Sequence, residues 1–228
     1  MQIELSTRFT GTDESKPTST TLRLPTERTA FLLVDCNGDC GDECNKVIRV
    51  KIAPALHAAR SVGMKVVFVY GEDRIIGPAS RPAEYHELRR GRPLRLQTIR
   101  PYQPEWANCI APLDHEPIIG KRAQNAFVGS QLDSWLRSWQ IETLIAVGFS
   151  FKSCLFYTLV GAFEREYRVV FLRDGTHPPG TNEFRDTVNP DLPDGGWVRL
   201  VLTRLIEDHL GYSSTSDDLI AACRTAIE

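Results

Sequence analysis

The chain has 228 residues, of which 42% are hydrophobic and 25% are charged, and its formal net charge is -2. These proportions are typical of a globular protein and exclude a disordered or fibrous chain, and we expect a single domain over residues 1–228. The small net charge provides no general attraction to nucleic acid or to an anionic membrane, so neither is expected as a partner.

The sequence also bears on the cellular compartment. No stretch approaches the roughly 20 apolar residues that span a bilayer, and the first residues lack the basic and then apolar pattern of a secretory signal. We therefore expect a cytoplasmic protein. Its six cysteines are accordingly expected to be thiols rather than a disulfide framework, which leaves one of them available for chemistry.

Short β-branched runs alternate with amphipathic helical stretches along most of the chain. In chain order, we predict an edge hairpin or extended arm (1–28), a strand (29–35), a helix (about 45–62), a strand (65–70), a short strand (117–120), a helix (130–139), a strand (142–148), a helix (152–167), a strand (168–173) and two C-terminal helices (about 195–210 and 216–227). This alternation predicts an α/β fold, doubly wound in three layers, with a mainly parallel sheet and helices on both faces.

The segment 71–117 interrupts this alternation with many prolines and arginines and one possible short helix at 83–89. Long insertions in α/β domains are commonly binding loops, so we predict that the segment covers the active site. Arg74 and the arginines that follow it could bind an anionic substrate, because a guanidinium pairs with a carboxylate through two hydrogen bonds. The alternative is a solvated basic face.

Asp35, Lys121 and Cys154 each lie at or just beyond the carboxyl end of a predicted strand. Ligands of such sheets bind beyond these strand ends, where residues distant in sequence share one edge. Cys154 follows a turn into a helix, a position whose positive end and backbone N–H groups favour a thiolate and an oxyanion. Each residue also has a structural alternative: a buried core thiol for Cys154, a turn cap for Asp35 and a solvated lysine for Lys121.

Three ordered motifs contain these residues. They are LLVDCN (32–37), IIGKRAQNAFVGSQL (118–132) and TLIAVGFSFKSC (143–154). In identity, order and spacing they resemble the isochorismatase-like cysteine hydrolases, whose pattern is a strand-end Asp, a Lys before a small residue and Phe, and a Gly-containing turn into a Cys. The resemblance spans residue 29 to about residue 175.

The resemblance implies a six-stranded sheet and a reaction at Cys154. Cys154 would attack the carbonyl carbon of a small linear amide, ureido or carbamoyl compound, Asp35 would transfer the proton to the leaving amine, and Lys121 would hold both groups by charge. A thioester would form and water would hydrolyse it. The family pattern also implies a cis peptide at Phe149–Ser150, an oxyanion hole of the Ser150 and Cys154 amides, and a homo-oligomer, either dimer or tetramer.

Departures from the pattern limit what it implies about substrate and cofactor. The usual Gln-Asn pair is Cys36-Asn37 here, so only Asn37 can serve as the polar substrate contact expected there. Phe151 stands where the family often has Thr, and it either alters the pocket floor or fills the core. No histidine occurs between His57 and His86, so the imidazole ligands of a nicotinamidase are missing, and we expect no catalytic metal and no cofactor.

Further features leave alternatives open. Cys36, Cys40 and Cys44 have a spacing that could indicate a metal site or a thiol redox sensor, although a fourth metal ligand is not evident. His177 follows the last predicted sheet strand, where it could reach the pocket and bind substrate or lie in a surface loop. The main alternative to an amidohydrolase is a catalytically silent family member that serves as a scaffold.

Overall fold

A computed structural model describes residues 1–12, 16–38, 41–71, 104–121, 123–177 and 196–228, with Gly196 and Trp197 described by their backbone alone. Three predictions fall outside the described residues: substrate binding by Arg74, the helix at 83–89 and the role of Cys40. Of the predicted cover segment, only residue 71 and residues 104–117 are described.

The described residues include eight strands, six α-helices and two short 3-10 helices, Thr26–Arg28 and Asn108–Ile110. The strands are β1 (Gln2–Thr10), β2 (Pro17–Pro25), β3 (Thr29–Val34), β4 (Lys65–Gly71), β5 (Ile118–Lys121), β6 (Thr143–Gly148), β7 (Arg168–Leu172) and β8 (Gly211–Ser214). The helices are α1 (Asp42–Val47), α2 (Ala53–Ser61), α3 (Leu132–Ser138), α4 (Phe156–Phe163), α5 (Gly196–Leu205) and α6 (Ser216–Ile227). Single π-helical turns join α1 to α2 (Ile48–Ile52), precede α4 (Phe151–Leu155) and follow α5 (Ile206–Leu210).

All eight strands form one sheet in the order β2-β1-β8-β7-β6-β3-β4-β5. The six strands from β8 to β5 are parallel, and β1 and β2 add an antiparallel hairpin beside β8. The predicted α/β fold is therefore confirmed, and β1 and β2 form the predicted hairpin rather than an extended arm. The sheet has two strands more than the six that the family pattern implied, and both belong to this hairpin.

Both faces of the sheet are buried, as the continuous apolar runs predicted. Every residue of β3 and of β6 is buried. Phe31 and Leu33 face a hydrophobic core shared with α2 and α6, and Ala30 and Leu32 face a second core shared with α3 and α4. Because parallel strands end at one edge, this three-layer arrangement brings the carboxyl ends of β6, β3, β4 and β5 together in that order.

The sequence did not predict β8, because its residues GYSS have no apolar pattern. Ser213 and Ser214 are nevertheless buried, since their hydroxyls have internal partners: Ser214 Oγ donates to the Ser6 carbonyl at 2.6 Å, and Ser213 Oγ donates to Glu207. Buried hydroxyls are tolerated where they are hydrogen-bonded. No helix in the described part of the chain is long and apolar enough to cross a membrane.

Candidate active site

Asp35, Lys121 and Cys154 meet at the carboxyl edge of the sheet. Lys121 Nζ lies 2.9 Å from Asp35 Oδ2 and 3.2 Å from Cys154 Sγ. The Lys121 side chain is only 4% exposed and that of Asp35 is 22% exposed, while Cys154 is half-buried. The ammonium group therefore joins a carboxylate and a thiol in a site that is largely screened from water.

Asp35 follows β3 and extends the pairing of β3 with β4 by one residue. Its backbone N–H donates to the Val69 carbonyl at 2.8 Å, and its φ of 50° turns the chain away from the sheet. One carboxylate oxygen, Oδ2, contacts Lys121, whereas Oδ1 is buried and has no hydrogen-bond partner among the described residues. A buried acceptor without a partner is costly, so Oδ1 is available to accept a hydrogen bond.

The residues after Lys121 hold β5 against helix α4. The buried Ala126 donates its N–H to Thr158 Oγ1 at 3.1 Å, and the Phe127 ring stacks on Tyr167 with centroids 5.9 Å apart. Ser130 bonds back to the Ala126 carbonyl and accepts the N–H at the start of α3. The small residue, Phe and Ser of this motif thus have structural roles, and they anchor the segment that follows Lys121.

The turn before Cys154 packs closely against the end of β3. Gly148 has a φ of 128°, and a Cβ there would lie 1.9 Å from the Val34 carbonyl oxygen. The Phe149 N–H donates to the same carbonyl at 2.8 Å, and the Phe149–Ser150 peptide is cis, as the family pattern implied. Cys154 lies in the following helical turn, in which the N–H groups of Ser153 and Leu155 both donate to the Ser150 carbonyl at 3.1 Å.

Charge within the site acts on the thiol in opposite directions. Burial raises the pKa of Cys154, the Asp35 carboxylate raises it further, and the Lys121 ammonium only partly offsets both. The net pKa of the thiol is therefore raised, a direction opposite to the one that the helix position alone suggested. Burial by itself lowers the pKa of Lys121, but the neighbouring Asp35 and Cys154 outweigh burial and the net pKa is raised, so the lysine stays charged.

The predicted substrate-binding residues lie in different surroundings from one another. Asn37 is half-buried two residues beyond Asp35. The His177 ring packs edge-on against Phe149 with centroids 4.9 Å apart, and burial, with the charge of Lys152, lowers the pKa of His177 to about 4. His177 thus adjoins the turn before Cys154.

Phe151 lies in the core. It is fully buried and stacks on Phe171 with centroids 4.6 Å apart. This position favours the core-filling alternative and gives no support to the predicted contact between Phe151 and substrate.

Cys36 and Cys44 of the three-cysteine motif are also buried in the core, where Cys36 Sγ contacts the Val34 carbonyl oxygen at 3.7 Å. Within the described ranges, no three His, Cys, Asp or Glu side chains are placed to hold a metal ion. The expectation of no metal and no cofactor stays a prediction.

Sequence reasoning missed one residue of the site. Gly71 ends β4, and a Cβ on it would lie 3.7 Å from Lys121 Nζ and 4.0 Å from Asp35 Oδ1. The signal in the sequence is a glycine directly after the apolar run KVVFVY, but that pattern alone indicates only the start of the cover segment.

Comparison with known proteins supports the resemblance. A family model described as the isochorismatase domain matches residues 29–188. The ureidoacrylate amidohydrolase RutB of Variovorax paradoxus (strain S110) is 30% identical over 186 residues, which are 74% of this chain and 66% of that protein. RutB of Stutzerimonas stutzeri (strain A1501) is 33% identical over 147 residues, 57% of each chain. This chain thus spans somewhat more than half the length of these curated relatives.

Solved structures have the same fold. A cysteine hydrolase from Pseudomonas syringae pv. phaseolicola 1448A superposes with a TM-score of 0.69 at 21% identity, covering 89% of this chain and 95% of that one. The matched domain covers more than half of the sequence, including the strand ends that carry Asp35, Lys121 and Cys154. The chain therefore belongs to the isochorismatase family.

Proposed function

We propose that this protein is a cysteine-dependent amidohydrolase that cleaves a C–N bond in a small linear amide, ureido or carbamoyl compound. The observation that carries the proposal is the placement of the Lys121 ammonium, 2.9 Å from the Asp35 carboxylate and 3.2 Å from the Cys154 sulfur. A nucleophile, a proton acceptor and a fixed charge are the parts that acyl transfer requires. The names of the similar RutB proteins make ureidoacrylate a reasonable first compound to test.

The reaction begins with a proton transfer. Asp35 takes the proton from the Cys154 thiol, and the thiolate attacks the carbonyl carbon of the substrate. The carbonyl oxygen becomes an oxyanion that accepts hydrogen bonds from the backbone amides of Ser150 and Cys154. Asp35 then protonates the nitrogen, the C–N bond breaks, and ammonia or an amine leaves a thioester on Cys154.

Water completes the cycle. Asp35, again ionised, removes a proton from a water molecule, whose oxygen attacks the thioester carbonyl. The C–S bond breaks, the proton returns to Cys154, and a carboxylic or carbamic acid is released. Lys121 stays charged throughout, because its net pKa is raised, so it stabilises whichever of its two partners carries the negative charge.

Other residues are proposed to contact the substrate. The candidates are Asn37, two residues beyond Asp35, and His177, which packs on Phe149 in the turn before Cys154. Arg74, outside the described residues, is proposed to meet a substrate anion. The cytoplasmic location and the homo-oligomer, dimer or tetramer, stay predictions.

The test is ammonia release from linear amides, ureidoacrylate, other ureido acids and N-carbamoyl compounds. Cys154→Ala should reduce turnover at least about a thousandfold, because removing the nucleophile removes the covalent route. Cys223→Ala is the matched control: Cys223 is buried in α6, and burial raises the pKa of its thiol to about 11, so it cannot supply a thiolate at neutral pH.

Equal turnover by the wild type and Cys154→Ala would contradict the proposed nucleophile. A folded wild type that releases ammonia from none of these compounds would favour the catalytically silent scaffold instead.

A further inference from the structure

Lys121 reaches its partners across a neighbouring strand. Strand β4 lies between β3 and β5, and Lys121 on β5 is in register with Gly71 on β4. Strands in a sheet are about 4.8 Å apart, so β5 and β3 are separated by about 10 Å. The ammonium nevertheless lies 2.9 Å from the carboxylate of Asp35, which follows β3. The lysine side chain must therefore extend over the end of β4.

Gly71 is the residue at that crossing point. A Cβ built on Gly71 would lie 3.7 Å from Lys121 Nζ and 4.0 Å from Asp35 Oδ1. The direction in which a side chain would leave residue 71 is thus toward the two charged groups of the site. It also leads toward Oδ1, the carboxylate oxygen that has no hydrogen-bond partner among the described residues.

The backbone does not require glycine at this position. The φ of Gly71 lies outside the left-handed region, unlike those of Gly63 and Gly148. The residue is exposed, so a side chain there would not have to fit a close-packed interior. Glycine in a strand is unfavourable unless something approaches its Cα closely. The nearest atoms to a Cβ built there belong to the Lys121 ammonium and the Asp35 carboxylate, at distances that leave room for a methyl group but not for a longer side chain directed at them.

We infer that Gly71 is a positioning residue of this site: the absence of a side chain longer than a methyl group leaves the space that the Lys121 ammonium and the Asp35 carboxylate occupy over the end of β4. The inference rests on the proposed function, because the contact that Gly71 preserves is the one between Lys121 and the Cys154 thiol.

Size and charge at residue 71 have different consequences. A methyl group would make ordinary van der Waals contact with the ammonium, so Gly71→Ala should be tolerated. Gly71→Asn adds polar bulk beside Lys121 Nζ without charge. Gly71→Asp has the same size as the Asn variant but adds a carboxylate that competes with Asp35 and Cys154 for the ammonium. That carboxylate also places a second negative charge near the thiol, which disfavours the thiolate.

The experiment measures two quantities for the wild type and the Ala, Asn and Asp variants of Gly71. One is kcat/KM for the substrate that gives the highest turnover, and the other is the rate of Cys154 alkylation by iodoacetamide from pH 6 to 10. Gly71→Ala should stay within about threefold of the wild type in both. Gly71→Asn should lower kcat/KM about tenfold, and Gly71→Asp about a hundredfold. At pH 7.5, alkylation of the Asp variant should be about tenfold slower than that of the Asn variant.

Gly63→Asn is the matched control. Gly63 precedes the opposite end of β4 and has a φ of 76°, which Asn tolerates, and a Cβ added there would have no described atom within 4 Å. This variant should keep the wild-type kcat/KM and alkylation profile.

Two results would overturn the inference. The first is that Gly71→Asn and Gly71→Asp both keep the kcat/KM and the alkylation profile of the wild type. The second is that these variants lose turnover only in proportion to a lower Tm, while the pH profile of Cys154 alkylation is unchanged. If the wild type hydrolyses nothing, the proposed function fails, and the alkylation series still decides whether residue 71 controls the Lys121–Cys154 contact.

Discussion

At the scale of single residues, the proposed chemistry depends on where one proton resides. Burial and Asp35 both raise the pKa of the Cys154 thiol, and Lys121 only partly offsets them. In the free site the thiol therefore holds its proton more tightly than an isolated cysteine does. Transfer of the thiol proton to Asp35 moves the negative charge from oxygen to sulfur while Lys121 contacts both atoms. The proposed reaction accordingly starts with this proton transfer.

Asp35→Asn should separate thiol reactivity from catalysis. Removing the carboxylate removes a negative charge that raises the pKa of Cys154, so iodoacetamide should alkylate the variant about tenfold faster than the wild type at pH 7.5. In both proteins alkylation should accelerate as pH rises through the pKa of the thiol, with the variant's profile displaced to lower pH. Hydrolysis should nevertheless fall at least about a hundredfold, because the amide cannot accept the proton.

Lys121→Met should have the opposite effect on the thiol. Removing the ammonium removes a charge that lowers the pKa of Cys154, so alkylation of Cys154 should be slower than in the wild type. Unchanged alkylation in Asp35→Asn would show that the carboxylate does not act on the thiol in the free protein.

At the scale of elements, the turn between β6 and α4 places the nucleophile, and it depends on one close backbone approach. Gly148 allows the end of β6 to lie against the Val34 carbonyl, which also accepts the Phe149 N–H. The same turn is held from the other side, because Thr176 Oγ1 donates to the Gly148 carbonyl at 2.6 Å. Three strand ends therefore converge on this turn.

Gly148→Ala should be strongly destabilising. A Cβ would lie 1.9 Å from a backbone oxygen that cannot rotate away, and φ is 128°, so we expect a loss of about 3 kcal/mol or more in the free energy of unfolding. Gly129→Ala is the control, since its φ of 64° is also unfavourable but no described atom lies within 4 Å, and it should lose about 1–2 kcal/mol. Urea denaturation followed by circular dichroism measures both, and equal losses would contradict the importance of the close approach.

At the scale of the whole molecule, the two ends of the chain complete one sheet. Ile3, Leu5 and Leu24 of the hairpin are fully buried with Leu219 and Cys223 of α6. Polar contacts tie the same regions together. Arg8 donates to Glu207 at 2.8 Å, and the Glu207 side chain is fully buried. The hairpin is thus an integral part of the domain.

Arg8→Ala should destabilise the protein by about 2 kcal/mol. The substitution leaves the buried Glu207 carboxylate with one cation fewer, and an uncompensated buried charge is costly. Adding Glu207→Gln should recover part of the loss, because the amide is neutral. Arg23→Ala serves as the control: its partner Glu4 and Arg23 itself are more than half exposed, so it should change stability by less than about 0.5 kcal/mol. Equal losses for Arg8→Ala and Arg23→Ala in urea denaturation would contradict this account.

The sequence by itself determined the parallel sheet and the motifs at its edge. A parallel sheet buries both faces, so its strands appear as continuous apolar runs such as AFLLV and TLIAVG, which can be recognised without long-range information. The meeting of Asp35, Lys121 and Cys154 could likewise be predicted, because each follows a recognisable strand and such strands end at one edge.

Only the tertiary structure decided which residues lie between these partners. The spatial order β6-β3-β4-β5 differs from the order along the chain, and local periodicity contains no information on it. This order places Gly71, at the end of β4, between Lys121 on β5 and Asp35 after β3. Phe151 is buried against Phe171, and Ser213 is buried in β8. Both depend on partners that are distant in sequence. The surroundings of a side chain, which only the tertiary structure supplies, determine whether it packs, pairs or contacts substrate.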